Sequence, residues 1–462
     1  MVTGDMHFER DLSRPETMMW NIESDPWLAS TGGSVTVYDR PLDFPRFHRS
    51  MAHAVAVAAR LRQRVVPARG PLIAPHWVAD RDFDLDWHVR RIGAPGEGTL
   101  RELLDWVSQF FQDPFDRSRA LWQYVVVDGL NEGQGALVTK MHHVVTDGQG
   151  AVQLAAAYVT LQRRAPQPPE VDLDAVIGSD PQQPEGLPAE ARGLAAGALR
   201  WPMELTRKII DVATHPDRVL RAGGEATDLL RTTADQLRPA GSPLWQHRSR
   251  HRRLETLTVP FEAAHRTAKA HGGTLNDFFM TGAGEAAHRY HRAKGVAPER
   301  FHVTFVVSTR TDAPSGLNKF TPVPVEIPSG EMGLAERFAA IHERLAGRRN
   351  EVHGGGPIET VASVANFLPT ALVTSLIRNQ ASHIDFATSS LPGFRGNTYV
   401  AGARTLHTYA FGPLAGTAFN LTMFSSNRSL DIGAHLDPAA VTDADLLRAC
   451  LEDAYRDLVA LA

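Results

Sequence analysis

From Gly32 to Tyr38 the chain reads Gly-Gly-Ser-Val-Thr-Val-Tyr, an alternation with a period of two that predicts a β-strand. Between Phe44 and Arg64 the apolar positions fall at helical spacing instead. Arg101–Phe111 reads as a further helix, stopping before Asp113-Pro114. Two strand-like runs follow, Leu121–Asp128 and Gly135–His142, and the Gly- and Asn-containing stretch between them predicts a hairpin turn. After Asp147-Gly148-Gln149-Gly150, the segment Ala151–Arg163 predicts a helix.

The pattern then changes. From Ala165 to Pro188 the chain is rich in proline and acidic residues, which bury too little apolar surface to order themselves and read as a crossover linker. Ala189–Thr233 reads as helical. A second folded half begins near His251, with strand Leu254–Val259, helices Phe261–His271 and Leu275–His291, and strand His302–Ser308. Helices follow around Leu334–Arg349 and Val361–Gln380, then an alternating hairpin, Phe419–Ser425 with Ser429–His435, and a last helix over Thr442–Leu461. The predicted organisation is an N-terminal subdomain over 1–164, a linker with helices over 165–250, and a C-terminal subdomain over 251–462. Each half mixes α and β, as expected for a chain of 462 residues, too long for one ordinary core.

Charge narrows the function classes. With 48 Lys+Arg against 52 Asp+Glu there is no basic excess to attract a nucleic acid. The single cysteine, Cys450, excludes an internal disulfide and any multi-cysteine metal site, and its helical apolar surroundings suit a buried inert thiol. Met1–Arg10 lacks the apolar stretch of a secretory signal, and no run reaches the roughly 18 apolar residues of a membrane span. A cytoplasmic protein is expected.

Candidate chemistry sits between the second hairpin strand and the next helix, in Met141-His142-His143-Val144-Val145-Thr146-Asp147-Gly148. Strand-end loops on rigid elements present reactive groups. Successive residues at a strand end face opposite ways, so one histidine can enter a cleft while the other packs and hydrogen-bonds. A neutral imidazole, with an unperturbed pKa of about 6.5, can take a proton from an alcohol near neutral pH. Asp147 is placed to orient the loop, and Gly148 removes a side chain where a substrate or the helix start needs room. Adjacent histidines without an HExxH motif or further ligands do not suggest a metal site.

His142-His143-Val144-Val145-Thr146-Asp147-Gly148 resembles the HHxxxDG signature of CoA-dependent acyltransferases and peptide-synthetase condensation domains. The rest of the chain is similar to one branch, the bacterial wax ester synthase/diacylglycerol acyltransferase family. Asp116-Arg117-Ser118-Arg119-Ala120-Leu121-Trp122 resembles that family's Pro-Leu-Trp segment, and Thr274-Leu275-Asn276-Asp277 its Asn-Asp motif. Ser389-Ser390-Leu391-Pro392-Gly393 stands where Ser-Asn-Val-Pro-Gly-Pro is usual. The resemblance implies two chloramphenicol-acetyltransferase-like subdomains with a tunnel between them. It also implies His143 as general base, His142 and Asp147 in support, and Gly148, Asn276 and Asp277 as substrate-binding residues. Helix-start Asn and Asp are also common caps, as Thr274 could be.

The implied reaction moves a long-chain acyl group from acyl-CoA, a co-substrate rather than a bound cofactor, to a fatty alcohol or diacylglycerol. Such substrates fit a peripheral contact with the inner membrane or lipid inclusions. A condensation-type enzyme using a carrier-protein thioester, or a silent lipid-associated binding protein, are the alternatives. The run Arg248, Arg250, Arg252, Arg253 suits a solvated face, CoA phosphates or an acidic carrier. Ala120, Ser390-Leu391 and Phe394 depart from the family pattern, the last two changes where a substrate channel is expected.

Overall fold

The computed structural model describes residues 9–67, 75–180, 242–308, 320–352, 370–426 and 428–461. Its first strands are β1 (Thr31–Tyr38), β2 (Gln63–Val66), β3 (His76–Ala79), β4 (Val89–Gly93), β5 (Trp122–Asp128), β6 (Gly135–His142) and β7 (Val159–Thr160). The others are β8 (Arg253–Pro260), β9 (Arg300–Ser308), β10 (Phe320–Pro328), β11 (Phe386–Pro392), β12 (Tyr399–Val400), β13 (Ala403–Phe411), β14 (Phe419–Ser425) and β15 (Ser429–Leu436). Among the described residues they build one mixed sheet in the order β4-β5-β6-β1-β13-β12-β7, a second in the order β10-β9-β11-β14-β15-β8, and the small pair β2-β3.

Each large sheet carries its own lobe. Apolar alternation sends Val35 and Val37 to one face of the first sheet, where Leu103, Val107 and Phe111 of helix Leu100–Gln112 cover them. The other face packs Leu137, Tyr124 and Trp122 against helix Phe44–Val57. The second lobe gathers around helix Leu275–Ala293, which is buried along most of its length, and its core already takes in Trp245.

The segment after β11 does not stay in the second lobe. β12 and β13 cross over and complete the first sheet, with β13 lying antiparallel along β1 (Val35 opposite Tyr409). The stretch 251–462 therefore serves both lobes, because the open edge of β1 is satisfied by a strand from the far half of the chain.

Several boundaries differ from the sequence expectation, each for a local reason. The helix from Phe44 ends at Val57 rather than reaching Arg64, because the Arg62 guanidinium turns back and donates to the carbonyls of Val55 (2.6 Å) and Ala56 (3.0 Å). Arg62 also forms a two-pronged pair with Asp180, both bonds 2.8 Å. The 165–180 part of the expected linker is consequently ordered, with helix Leu173–Ser179 capped by Asp172 and Ile177 buried. Residues 181–241, including the expected helix Ala189–Thr233, lie outside the described residues. The helix expected over Ala151–Arg163 runs instead over Gly148–Ala155, since Asp147 caps it early and β-branched Val159-Thr160 pairs with β12. Helix Thr370–Ser382 covers the later part of the expected Val361–Gln380 segment, whose residues 361–369 are outside the described set.

Where the lobes meet, Asp431 of β15 is 1% exposed and accepts from the Thr408 N–H (2.8 Å) and from His407 Nδ1 (3.0 Å) of β13. The hydrogen bond to Asp431 raises the His407 pKa above its ordinary value despite burial, which pulls the other way. A raised folded-state pKa gives stability that is present below the unfolded value of about 6.5 and lost as pH climbs through the folded one. We expect His407→Gln to flatten the decline in melting temperature as pH rises above about 6.5, measured by thermal scans in matched salt. An unaltered slope would remove this pair as the cause.

Candidate active site

β6 delivers its last residue, His142, into the interior, and the peptide that follows reverses direction. His143 N–H donates to the Ser30 carbonyl (2.9 Å), and Val145 N–H to the His142 carbonyl (3.0 Å), which holds the turn. Asp147 then accepts from the Gly150 N–H (2.8 Å) as the N-cap of helix Gly148–Ala155. Both ends of the loop are thus tied to regular elements.

The two imidazoles separate as the alternation requires. The His142 ring is buried, edge-on to Trp20 and Phe115. Its Nδ1 accepts from the Val144 N–H (3.1 Å), which assigns the ring proton to Nε2, facing the Glu23 carboxylate. Glu23 also pairs with Arg117 (3.2 Å) and accepts from the Ser30 N–H (3.3 Å). Burial alone would raise the Glu23 carboxyl, but the hydrogen bond it accepts from His142, with help from Arg117 and Ser30, holds it below the usual carboxylate range.

Glu23 thereby fixes the orientation of His142 and, through Ser30, the peptide that carries His143. We expect Glu23→Gln to lower stability by about 1.5–3 kcal/mol and to reduce kcat more than the KM for either substrate. Denaturant titration and steady-state rates check this; a kcat equal to wild type would deny Glu23 a positioning role.

His143 turns the other way, half-buried, into a cavity of about 280 Å³ walled by both lobes. Tyr38, Tyr124, Met141 and Tyr158 come from the first lobe, and Ser390, Leu391, Phe394 and Phe424 from the segment of β11, its following loop and β14. The walls are mostly apolar, and Asp147 and Gly148 line the same space. A Cβ on Gly148 would come within 2.6 Å of a Leu391 methyl, so the glycine lets the helix start dock against β11. Ser390, Leu391 and Phe394, the positions that depart from the family pattern, therefore do form part of the wall.

A second cavity, about 680 Å³, lies on the His142 side. Thr31 and His142 line it while their neighbours Gly32 and His143 line the first, and Pro413 lines both. Among the described residues no group of three or more His, Cys, Asp or Glu side chains is arranged to hold a metal ion.

Residues 12–279 match the wax ester synthase/diacylglycerol acyltransferase catalytic domain, and residues 317–459 match the C-terminal domain of the same family. The chain belongs to the wax ester synthase/diacylglycerol acyltransferase family. A Mycobacterium tuberculosis H37Rv protein named as a diacylglycerol O-acyltransferase is 31% identical over 459 residues, 98% of this chain and 92% of that one. The solved wax ester synthase/diacylglycerol acyltransferase from Marinobacter aquaeolei VT8 superposes with a TM-score of 0.66 at 21% identity, covering 97% of this chain and 98% of that one. The starter condensation domain of rhizomide synthetase, solved with C8-CoA and Leu-SNAC, gives 0.59 at 16% identity, covering 98% and 94%. The chain is thus an acyltransferase of that type, with the two-lobed chloramphenicol-acetyltransferase-like fold.

The wax ester synthase/diacylglycerol acyltransferase motif residues fall in three places. His143, Asp147 and Gly148 share the first cavity, and His142 stands behind them. Asn276 and Asp277 line neither cavity. Asp277 is fully buried in a capping box with Thr274 and accepts from His342 Nδ1 (2.9 Å), so its carboxylate is engaged at the helix start. Trp122 is a core aromatic, its Nε1 donating to the Leu61 carbonyl (2.7 Å). Glu23 and Ser30 escaped the sequence reading, since nothing in the pattern links Glu23 to a histidine 119 positions away. Cys450 is buried, and burial raises its thiol pKa. No helix among the described residues is long and apolar enough to cross a membrane.

Proposed function

We propose that this protein is an acyl-CoA-dependent O-acyltransferase that esterifies a fatty alcohol or diacylglycerol with a long-chain acyl group, using His143 as general base. The observation that carries the reading is the His143 side chain on a braced loop, facing an apolar cavity bounded by both lobes. An acyl chain and a lipid alcohol are both accommodated by such walls.

In the reaction the His143 ring takes the hydroxyl proton as the alcohol oxygen forms a bond to the thioester carbonyl carbon. The tetrahedral oxyanion collapses with loss of the C–S bond. The departing thiolate recovers the proton from the imidazolium, so ester and free CoA leave with the base regenerated. Asp147 and His142 act on the loop rather than on the reacting atoms. The lipid acceptors imply a cytoplasmic protein in peripheral contact with a membrane or lipid inclusion.

Purified protein with palmitoyl-CoA and either hexadecanol or diacylglycerol should release free thiol in step with ester, and far more slowly without an acceptor. Thiol release that is indifferent to any alcohol would count against the esterification reading.

A further inference from the structure

β6 carries a cation into the interior two residues before His142. Alternation puts Lys140 and His142 on one face of the strand, while Thr139, Met141 and His143 line the first cavity from the other. Lys140 is 1% exposed. Its ammonium donates to the Asp113 carbonyl (2.6 Å), and no other hydrogen bond or ion pair reaches it among the described residues. The Phe110 and Phe115 rings flank it, each centroid 4.7 Å from Nζ.

A charge held in this way is poorly placed to stabilise the fold. One carbonyl and two ring faces replace only part of its water, and an apolar side chain of similar volume would pack as well or better. Its contacts lead instead toward the His142-His143 loop. Asp113 is the C-cap of helix Leu100–Gln112, so the ammonium meets the negative end of that helix and holds the turn that follows. That turn brings Phe115 edge-on to the His142 ring, with 6.2 Å between centroids. His142 in turn fixes the start of the loop through its Nδ1 and the Val144 N–H.

We infer that Lys140 is a positioning residue for the reaction: its ammonium pins the helix end and the Phe115 ring, and these hold His142 and the loop that carries His143. The inference rests on the His143 chemistry proposed above. Burial, the largest influence, pulls the Lys140 pKa down to about 8; Asp113 and Glu23 favour the ammonium, and Arg90 on β4 opposes it. The charge is therefore half lost near pH 8. A neutral amine keeps a hydrogen bond but loses its attraction to the ring faces and the helix end. The rate should fall with the charge.

Rate and stability are expected to part company there. The unfolded chain, with a lysine pKa of about 10.5, binds the proton more tightly than the folded one, so between about 8 and 10.5 this group makes the protein more stable as pH rises. A lysine that served the fold alone would leave kcat level over the same window. The test is kcat of the full-length protein with palmitoyl-CoA and hexadecanol from about pH 6.5 to 9.5, corrected for uncatalysed hydrolysis, beside thermal scans in the same buffers. Lys140→Met keeps the volume and the ring contacts. It is expected to lower kcat by about 10- to 100-fold with little change in either KM, and to abolish the alkaline decline, without loss of melting temperature at neutral pH. Lys140→Arg, whose charge persists in alkali, should recover most of the rate and hold it to about pH 9.

A Lys140→Met protein with wild-type kcat overturns the assignment, as does one whose low kcat still declines in alkali as the wild type's does. Should the methionine variant fail to fold, the wild-type profile and Lys140→Arg decide. A kcat that stays level to about pH 9, or a decline that Lys140→Arg leaves in place, overturns it equally. In each of these cases, ester formation that His143→Ala abolishes leaves the acyltransferase reading standing. Wild-type protein that forms no ester at any pH would defeat both readings.

Discussion

Replacing His143 with alanine is expected to cut ester formation by about 10²–10⁴-fold without unfolding the protein. The ring is half-buried and faces open space, so its removal leaves no tightly packed void, and the loop is held by backbone groups that alanine retains. The companion variant His142→Ala differs in kind. That ring fills a site between Trp20 and Phe115 and leaves Glu23 buried beside Arg117 when it goes, so stability and rate fall together. Free-thiol and ester assays on the two variants, alongside melting curves, separate the roles. A His143→Ala protein that forms ester at the wild-type rate would end the general-base assignment. Because the base must be unprotonated, the wild-type rate should also decline toward acid pH.

The second large effect concerns a glycine at the contact between the two sheets. Gly433, in β15, lies where a Cβ would sit 2.1 Å from the Ala410 carbonyl oxygen of β13, a backbone atom that cannot swing aside. Gly433→Ala must therefore push the two sheets apart, at a cost of about 1–3 kcal/mol or more. The same substitution at Gly347 has the opposite sign. That residue is exposed within helix Leu334–Val352 with nothing within 4 Å of the added methyl, so Ala should stabilise by about 0.5–1 kcal/mol. Thermal scans of both variants decide the matter; a Gly433→Ala protein that melts with wild type would mean that the sheets are not in contact there in solution.

Legibility in the sequence followed the reach of each interaction. The hairpin of β5 and β6, helix Leu100–Gln112 and the β14–β15 pair were readable because alternation, caps and turn residues act over a few positions. The opposite facing of His142 and His143 was readable for the same reason. β10 was hidden by Pro322 and Pro324, which are tolerated because it is an edge strand of its sheet. β11 and β13 were missed where Ser, Gly and Pro interrupt or border the apolar pattern. Glu23 could not be found from spacing, since its tie to His142 is made by the fold. The ordered part of the expected linker depends on one distant partnership, Arg62 with Asp180, that composition does not encode.

The passage of β13 into the opposite sheet has a consequence for biogenesis. As the ribosome extends the chain, β1 emerges early, yet its neighbour over Ala403–Phe411 is translated only near the finish. Until then an exposed row of amide and carbonyl groups on a nascent polypeptide invites mispairing with other chains. Truncating the gene before codon 399 should therefore yield inclusion bodies rather than a tractable fragment.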